Sequence, residues 1–408
     1  MDAKKLFADK RETYIYLERY VNDGSPSGFD SRTTSAKTSP VLGASSFPLL
    51  EFSDEDIECI HLGNKQGLFE RGVNYAHPDS FESNLLEGSG RRVVESDLIV
   101  SPTAGGRTMF IRAPDIEGLL KLTYDTARLG RVDRQLTLKH CQSSLEVARS
   151  MKDCIDQGKL PQSFSLLLEE SSKVSLLRLG EQTYEWGVIY RQEKPYPYTK
   201  QNTALIPGFS LFGKDMHNPT DELLINQFIE LSNSKPTEYL VNVLKMIVDC
   251  YWSVVLSCAF HLECHAQNCL FEIDEQFNIT RVVIKDMDSV DKDMPLARHF
   301  GLNDKWESHP YMCFDGSIYF YSIRPSFIYD FKVGVYLISP MINAVCVKHD
   351  LKQSEIEDEI RTYVKENYLW QLPNWYFPAD GCWYDCDNSE RKPGAKRKYF
   401  AHANPKFR

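Results

Sequence analysis

The chain has 408 residues, of which 42% are hydrophobic, 12% aromatic and 25% charged, with a formal net charge of −10. This length exceeds one ordinary core and predicts two or three domains, and the composition excludes wholesale disorder. The acidic balance excludes a surface built along its whole length to neutralise nucleic acid, which depends on clustered Lys and Arg, so no nucleic-acid partner is expected.

The first residues, Met1-Asp-Ala-Lys-Lys-Leu-Phe-Ala-Asp9, are polar and charged, so no export signal is read and a cytoplasmic protein is expected. Residues 4–21 read as a helix, with Leu6, Tyr14, Tyr16, Leu17 and Tyr20 as packing positions. Residues 22–48 are dense in Ser, Thr, Gly and Pro and read as a linker or mobile loop. Strand-like pieces follow at 49–52, 57–62, 92–100, 107–112 and 119–124. No long helix intervenes, which predicts a mostly antiparallel sheet. Helical pattern resumes at 136–156, then strands at 163–179 and 186–192, a helix at 221–231 and a buried helix at 238–260. A hairpin of 269–273 and 280–285 closes around a turn at 274–278. Gly213, Asn218 and Pro219 supply turn chemistry and predict a domain boundary at 212–219. The longest apolar run, 251–260, is about half of the ~20 residues a membrane span needs, so no membrane partner is expected. Eleven cysteines are scattered singly and read as reduced thiols. Cys382 and Cys386 lack the second pair that a structural zinc site requires. The last 18 residues hold seven Lys or Arg, read as a solvated charge run.

Three polar motifs carry candidate chemistry. The first is Ser101-Pro-Thr103-Ala-Gly-Gly-Arg107-Thr108, a small-residue loop between strands. Its glycines let a ligand approach backbone N–H groups, its hydroxyls suit phosphate oxygens, and its arginine can bind phosphate or carboxylate bidentately. A plain hairpin turn has the same composition. The second is Lys121 with Arg128, Arg131 and Arg134, suited to a polyanion or, equally, to the exposed face of a helix. The third is His261-x-Glu263-x-His265-Ala-Gln267-Asn268 followed by Asp286-Met-Asp288. Carboxylates give oxygen ligands to Mg²⁺, while His, Gln and Asn hydrogen-bond a nucleotide's phosphates. A structural loop capping a helix end would also use these residue types, and His261, attached to the apolar helix, reads as structural.

The string Glu263-Cys-His265-Ala-Gln267-Asn268-Cys-Leu, then Val282-Val-Ile-Lys285-Asp286, resembles the palm signature of the siderophore synthetases that work without nonribosomal peptide synthetases. These are the enzymes of aerobactin-synthetase (IucA/IucC) type. Ser101 to Thr108 is similar to that family's Thr-x-Ser-x-Arg-Thr loop, and Lys121-Leu-Thr-Tyr to Arg134 is similar to its Lys-Leu strand and following arginine. Val188-Ile-Tyr-Arg191, Ala204-Leu-Ile-Pro and Asn404-Pro405 match further landmarks, so roughly the last three-quarters of the chain is covered in family order. The resemblance implies an α+β, hand-like fold: a reduced thumb over 1–48, antiparallel fingers over 49–215 and a helix-rich palm over 216–408, with an ATP cleft between fingers and palm. It implies ATP and Mg²⁺, activation of a carboxylate such as citrate as an acyl-adenylate, and transfer to an amine or alcohol; a homodimer would be in keeping with the family. Catalytic roles then fall to His265, Lys121 and Arg107. Nucleotide contacts fall to Ser101, Thr103, Thr108, Arg134, Glu263, Gln267 and Asn268, and metal ligation to Asp286 and Asp288. Ala266 stands where the family has glycine, Lys285 where it has arginine, and the early His-Pro-x-His-Pro-x-x-Lys motif is missing; Tyr75-Ala-His77-Pro78 resembles a later His-Pro element. The alternatives are a small-molecule kinase of aminoglycoside-phosphotransferase type, which would need an Asp where Glu263 stands, and an inactive binding protein derived from the family.

Overall fold

The computed structural model describes residues 1–22, 38–64, 67–129, 132–302, 324–377, 381–384, 399–402 and 405–408, with backbone alone at 81–82, 126–129, 132–134, 381–384 and 399–402. In chain order the strands of the larger sheet are β1 (Phe47–Ser53), β2 (Cys59–Gly63), β3 (Val73–Ala76), β4 (Val94–Pro102), β5 (Thr108–Ile111) and β6 (Leu119–Leu122), completed later by β10 (Glu169–Leu179) and β11 (Gln182–Arg191). Between them run the hairpin β7 (Tyr124–Leu129) and β8 (Val132–Arg134), and β9 (Phe164–Leu166). The sheet order is β2-β10-β11-β6-β5-β4-β1-β3, every pairing antiparallel. The predicted antiparallel sheet and the α+β class are both found.

A second, four-stranded sheet has the order β12-β14-β15-β9, from β12 (Ala204–Pro207), β14 (Cys269–Ile273) and β15 (Ile279–Ile284), while the two-residue β13 (Phe260–His261) pairs separately with residues 291–292. Only the β15–β9 pairing is parallel. The 163–179 strand is therefore two: β9 joins the small sheet, and the chain crosses through Leu167 and Leu168 before β10 enters the large one. Strands before the 212–219 turn thus share a sheet with strands after it. The single strand predicted at 119–124 is also split, because the Thr123 hydroxyl donates to the Gly187 carbonyl and accepts from the Leu136 N–H. Arg128 lies in β7 and Arg134 in β8, so for these two the helical alternative is replaced by strand; their side chains, and Arg131 altogether, lie outside the described residues.

Helix α1 (Lys10–Tyr20) starts later than predicted, because the Asp9 side chain accepts the Glu12 N–H as an N-cap. Short helices α2 (Asn84–Gly88) and α4 (Gly208–Phe212) flank the longer α3 (Leu138–Asp156), α5 (Leu224–Leu231) and α6 (Pro236–Cys258), followed by α7 (Met294–His299). Next, a π-helical run at Phe327–Ile338 continues into the α-helix Ser339–His349, and Gln353–Asn367 follows. The helix α6 and the stretch Arg324–His349 are long and apolar enough to cross a membrane by length and composition. More than half of each lies inside the fold, where Leu240, Leu244, Val248, Trp252 and Val255 of α6 pack with Ile328, Leu337 and Ile342 in the main core.

The two sheets meet through α1. Phe110 of β5 and Leu119 of β6 pack with Leu270 of β14 and Val283 of β15, with Tyr14 and Ile15 of α1 in the same buried cluster. Register explains the contact: Phe110 opposes Leu119, and Leu270 opposes Val283, so each pair projects from one face of its sheet. The first of these faces also carries Lys121.

Candidate active site

On the large sheet, cross-strand pairing puts Thr108 opposite Lys121, Ile189 opposite Lys121 and Glu169 opposite Arg191. Period-two alternation then sends Thr108, Lys121, Arg191 and Glu169 to the face that looks toward the small sheet. Lys121 and Arg191 are almost fully buried. Such cations need partners, and the partners come from the other side of the seam. The Lys121 ammonium donates to Asp286 Oδ1 at 2.5 Å and to Asp288, while Arg191 Nη2 donates to Asp286 Oδ1 at 2.8 Å. Arg191 Nε also donates to Glu169 Oε1 at 2.9 Å. Glu169 in turn accepts the Met287 N–H at 3.3 Å and the Ser144 hydroxyl of α3, fixing the turn that carries the two aspartates.

Asp286 lies two residues beyond the end of β15 and adopts φ 78°, a left-handed conformation that a non-glycine residue holds only when its surroundings impose it. Burial pushes its carboxyl up, but Lys121, Arg191 and Arg107 outweigh that and hold it far below the ordinary carboxylate range. Its side chain keeps 23% exposure against 4% for Asp288. Asp286 is therefore the carboxylate with a face open to solvent, while Asp288 is enclosed by Lys121 and by Arg107, 3.7 Å away.

The loop between β4 and β5 faces the same seam. The Thr103 hydroxyl donates to the Thr108 carbonyl at 2.8 Å and accepts the Gly105 N–H at 3.2 Å, so it shapes the turn. Gly106 sits at φ +68°, where a Cβ would be strained. Its carbonyl accepts from His77 Nε2 at 2.9 Å, and His77 Nδ1 accepts the Asp79 N–H, which fixes the proton on Nε2. Burial pushes His77 down to about 4, so it is neutral near pH 7. A Cβ built on Gly105 would lie 3.4 Å from Gln267 Nε2, so this loop and the loop after α6 are in contact distance. Ser101 lies in β4, where its hydroxyl donates to the Ser45 carbonyl and accepts from Arg112 Nε.

Helix α6 ends at Cys258 because Ala259 turns left-handed, and residues 262–268 form the polar loop. The His265 N–H donates to the Glu263 carbonyl, the Asn268 and Cys269 N–H groups donate to the His265 carbonyl, and the Ala266 N–H donates to Tyr336 of the π-helical run. Gly208 permits the close approach beneath: a Cβ there would meet the Cys269 carbonyl at 2.7 Å and the Ala266 carbonyl at 2.9 Å. His265 Nδ1 accepts the Gln267 N–H, leaving Nε2 as the donor. Burial, with Lys332 adding to it, pushes His265 down to about 4. Burial would raise the Glu263 carboxyl, but Lys332, His265 and Arg324 hold it below its usual value, with Lys332 Nζ at 3.5 Å. His261, by contrast, is fully buried, bonded to Asp293 at 2.8 Å and within reach of the Tyr251 and Tyr376 hydroxyls, in the structural role predicted for it.

The seam therefore brings together Thr103, Arg107, Thr108, Lys121, Glu263, His265, Gln267, Asn268, Asp286 and Asp288, while the Ser101 hydroxyl is engaged by Ser45 and Arg112 and the Arg134 side chain lies outside the described residues. Sequence reasoning missed Glu169, Glu18 and His140, and named Arg191 and His77 only as landmarks. Glu18 of α1 is fully buried, accepts the Ala104 N–H at 3.1 Å and pairs with Lys285 at 2.6 Å. His140 feels the charges of Asp288, Arg107 and Lys121. A signal existed for Glu169 and Arg191: each is a charge within a β-run that is otherwise largely buried. Nothing local marks Glu18.

Among the described residues, no group of three or more His, Cys, Asp or Glu is placed to hold a metal. Mg²⁺ arriving with a nucleotide needs only one or two protein carboxylates, because phosphates and water complete its octahedron. Asp286 fits that requirement. The donor set around it, Arg107, Lys121, Arg191 and the His265 Nε2–H, fits a triphosphate.

No protein-family model matches the sequence, and no curated protein matches it. Solved structures do. The petrobactin biosynthesis protein AsbB of Bacillus anthracis str. Sterne matches with a TM-score of 0.68 and 13% identity, over 86% of this chain and 68% of its own. Aerobactin synthetase IucC from a hypervirulent pathotype of Klebsiella pneumoniae gives 0.64 and 14%, over 90% and 71%. ATP-bound aerobactin synthetase IucA from the same source gives 0.67 and 13%, over 99% and 80%. At these identities the likeness establishes the fold, which is that of the siderophore synthetases named by the motif resemblance.

Proposed function

We propose that this chain is an ATP-dependent synthetase of siderophore type, which activates a carboxylic acid as an acyl-adenylate and condenses it with an amine or alcohol. The reading rests on one observation: Arg107 of the β4–β5 loop and Lys121 and Arg191 of the large sheet meet Asp286 and Asp288 across a single seam, with Gln267 beside the same loop. In the first half-reaction a carboxylate oxygen attacks the α-phosphorus of ATP and pyrophosphate leaves. Negative charge grows on the α-phosphoryl oxygens, and fixed cationic and N–H donors in a partly dehydrated site stabilise it. Arg107 and the His265 Nε2–H are the donors for that charge. Gln267 and Asn268 orient the nucleotide, and Thr103 holds the loop that presents Arg107. Lys121 and Arg191 keep Asp286 ionised at neutral pH, the state in which it can share a Mg²⁺ with the phosphates. That ion would neutralise the triphosphate and the departing pyrophosphate. In the second half-reaction the amine or alcohol attacks the acyl carbon and AMP leaves. Dependence on ATP makes the cytoplasm the expected setting.

The test incubates the protein with ATP, Mg²⁺, a panel of polycarboxylates including citrate, and hydroxylamine. Pyrophosphate release with hydroxamate formation is expected. ADP in place of AMP would give the site to a kinase, and no calorimetric ATP binding would leave a binding protein.

A further inference from the structure

Outside the seam, two cysteines from distant parts of the chain meet at the ends of two helices. Cys154 is in the last turn of α3 and Cys258 is the final residue of α6, 104 positions apart, yet their sulfurs are 3.3 Å from each other, with the Cys258 Sγ–H donating to Cys154 Sγ. Both residues reach the surface only slightly, at 8% and 6% exposure. A disulfide bond is about 2.05 Å long, so closure asks for a sulfur displacement of roughly 1 Å, within side-chain rotation.

The other cysteines set the contrast. Burial raises the thiols of Cys59, Cys141, Cys250, Cys264, Cys269 and Cys346, which disfavours the reactive thiolate. At Cys154 the hydrogen bond from Cys258 lowers the thiol to about 7 against the opposing effect of burial, and Lys159 adds to the lowering while Asp153 opposes it. The same bond raises Cys258, which holds the shared proton. One sulfur is thus the attacking group and the other stands beside it as the resolving group.

We propose that Cys154 and Cys258 are a reversible oxidation site, at which a hydroperoxide converts the thiol pair into a disulfide. The Cys154 thiolate attacks the terminal peroxide oxygen, the O–O bond breaks, and a sulfenic acid forms as the leaving oxygen takes from solvent the proton that Cys154 released on ionising and departs as water (or alcohol). The Cys258 sulfur then attacks the Cys154 sulfur, the S–O bond breaks, and the hydroxyl leaves as water with the Cys258 proton. The two thiols together lose two electrons and the peroxide gains them; an external dithiol reverses the step. The cross-link would staple α3, which packs on the turn carrying Asp288, to the end of α6, from which the 262–268 loop departs.

Full-length protein is reduced, desalted, treated with an excess of hydrogen peroxide, alkylated and analysed by intact mass and peptide mapping. The expected result is loss of two hydrogens, a Cys154–Cys258 cross-linked peptide, restoration by dithiothreitol, and a melting temperature a few degrees higher in the oxidised form. In Cys258→Ser the reaction should stop at a Cys154 sulfenic acid that dimedone traps. Cys258→Ala is run beside it, so that a folding defect in one variant leaves the test intact. Full alkylation of both peptides after peroxide overturns the proposal, as does a cross-link that persists in Cys154→Ser.

Discussion

Asp286 concentrates three demands in one residue. It accepts from two buried cations, it presents an oxygen to solvent, and it holds a left-handed backbone. Asn tolerates that conformation and matches the carboxylate in size, so Asp286→Asn removes the charge without adding backbone strain. Turnover in the hydroxamate assay should fall at least roughly a hundredfold, as for loss of a principal electrostatic group, while circular dichroism shows a folded protein. The neutral histidines give a pH signature. His77 and His265 sit near 4 in the fold against an ordinary 6.5, so the unfolded chain binds more protons between those limits. Their contribution to stability is complete above pH 6.5, declines as pH falls and is gone by about pH 4, on the order of 3 kcal/mol for each ring. Urea denaturation at pH 7.5 and at pH 5 measures it, and His77→Gln should flatten the difference.

Among the elements, α1 is a strap whose Glu18 links Ala104 of the β4–β5 loop to Lys285 at the end of β15. Glu18→Ala leaves a buried ammonium unpaired and an amide without its acceptor. It should destabilise the fold by about 3–5 kcal/mol, read as a lower urea midpoint, and weaken ATP binding because both ligand loops lose their common tether. The β4–β5 loop has a second support in the His77 contact to the Gly106 carbonyl. His77→Ala should weaken ATP binding on the order of tenfold in calorimetry. The hairpin β14–β15 needs no such strap: its turn is closed by the Asp274 side chain, which accepts the Gln276 and Asn278 N–H groups.

For the whole molecule, Phe110 and Leu119 of one sheet and Leu270 and Val283 of the other share a single buried cluster, from which one unfolding unit is expected. Leu270→Ala should cost about 2–5 kcal/mol and lower the melting temperature in a single calorimetric transition; two resolved transitions would mean that the sheets unfold separately. The seam inherits its geometry from this contact, since the strands that bury Phe110 and Leu119 also carry Thr108 and Lys121.

Much of this was legible in the linear chain. Apolar periodicity marked α6, the β14–β15 hairpin and the antiparallel strands, because burial on one face imposes a local repeat. The polar loops at 101–108 and 262–268 were legible as loops too, because Gly, Pro, Asn and hydroxyl residues interrupt the apolar repeat there. What only the tertiary structure decided is which charges meet. Lys121 and Arg191 reach Asp286 across 165 and 95 residues, and Glu18 reaches Lys285 across 267. Ser101, the first residue of the 101–108 stretch, has its hydroxyl engaged by Arg112. Such pairings leave no local trace, since a buried ion pair is specified by two distant segments at once and only packing brings its halves within hydrogen-bonding distance.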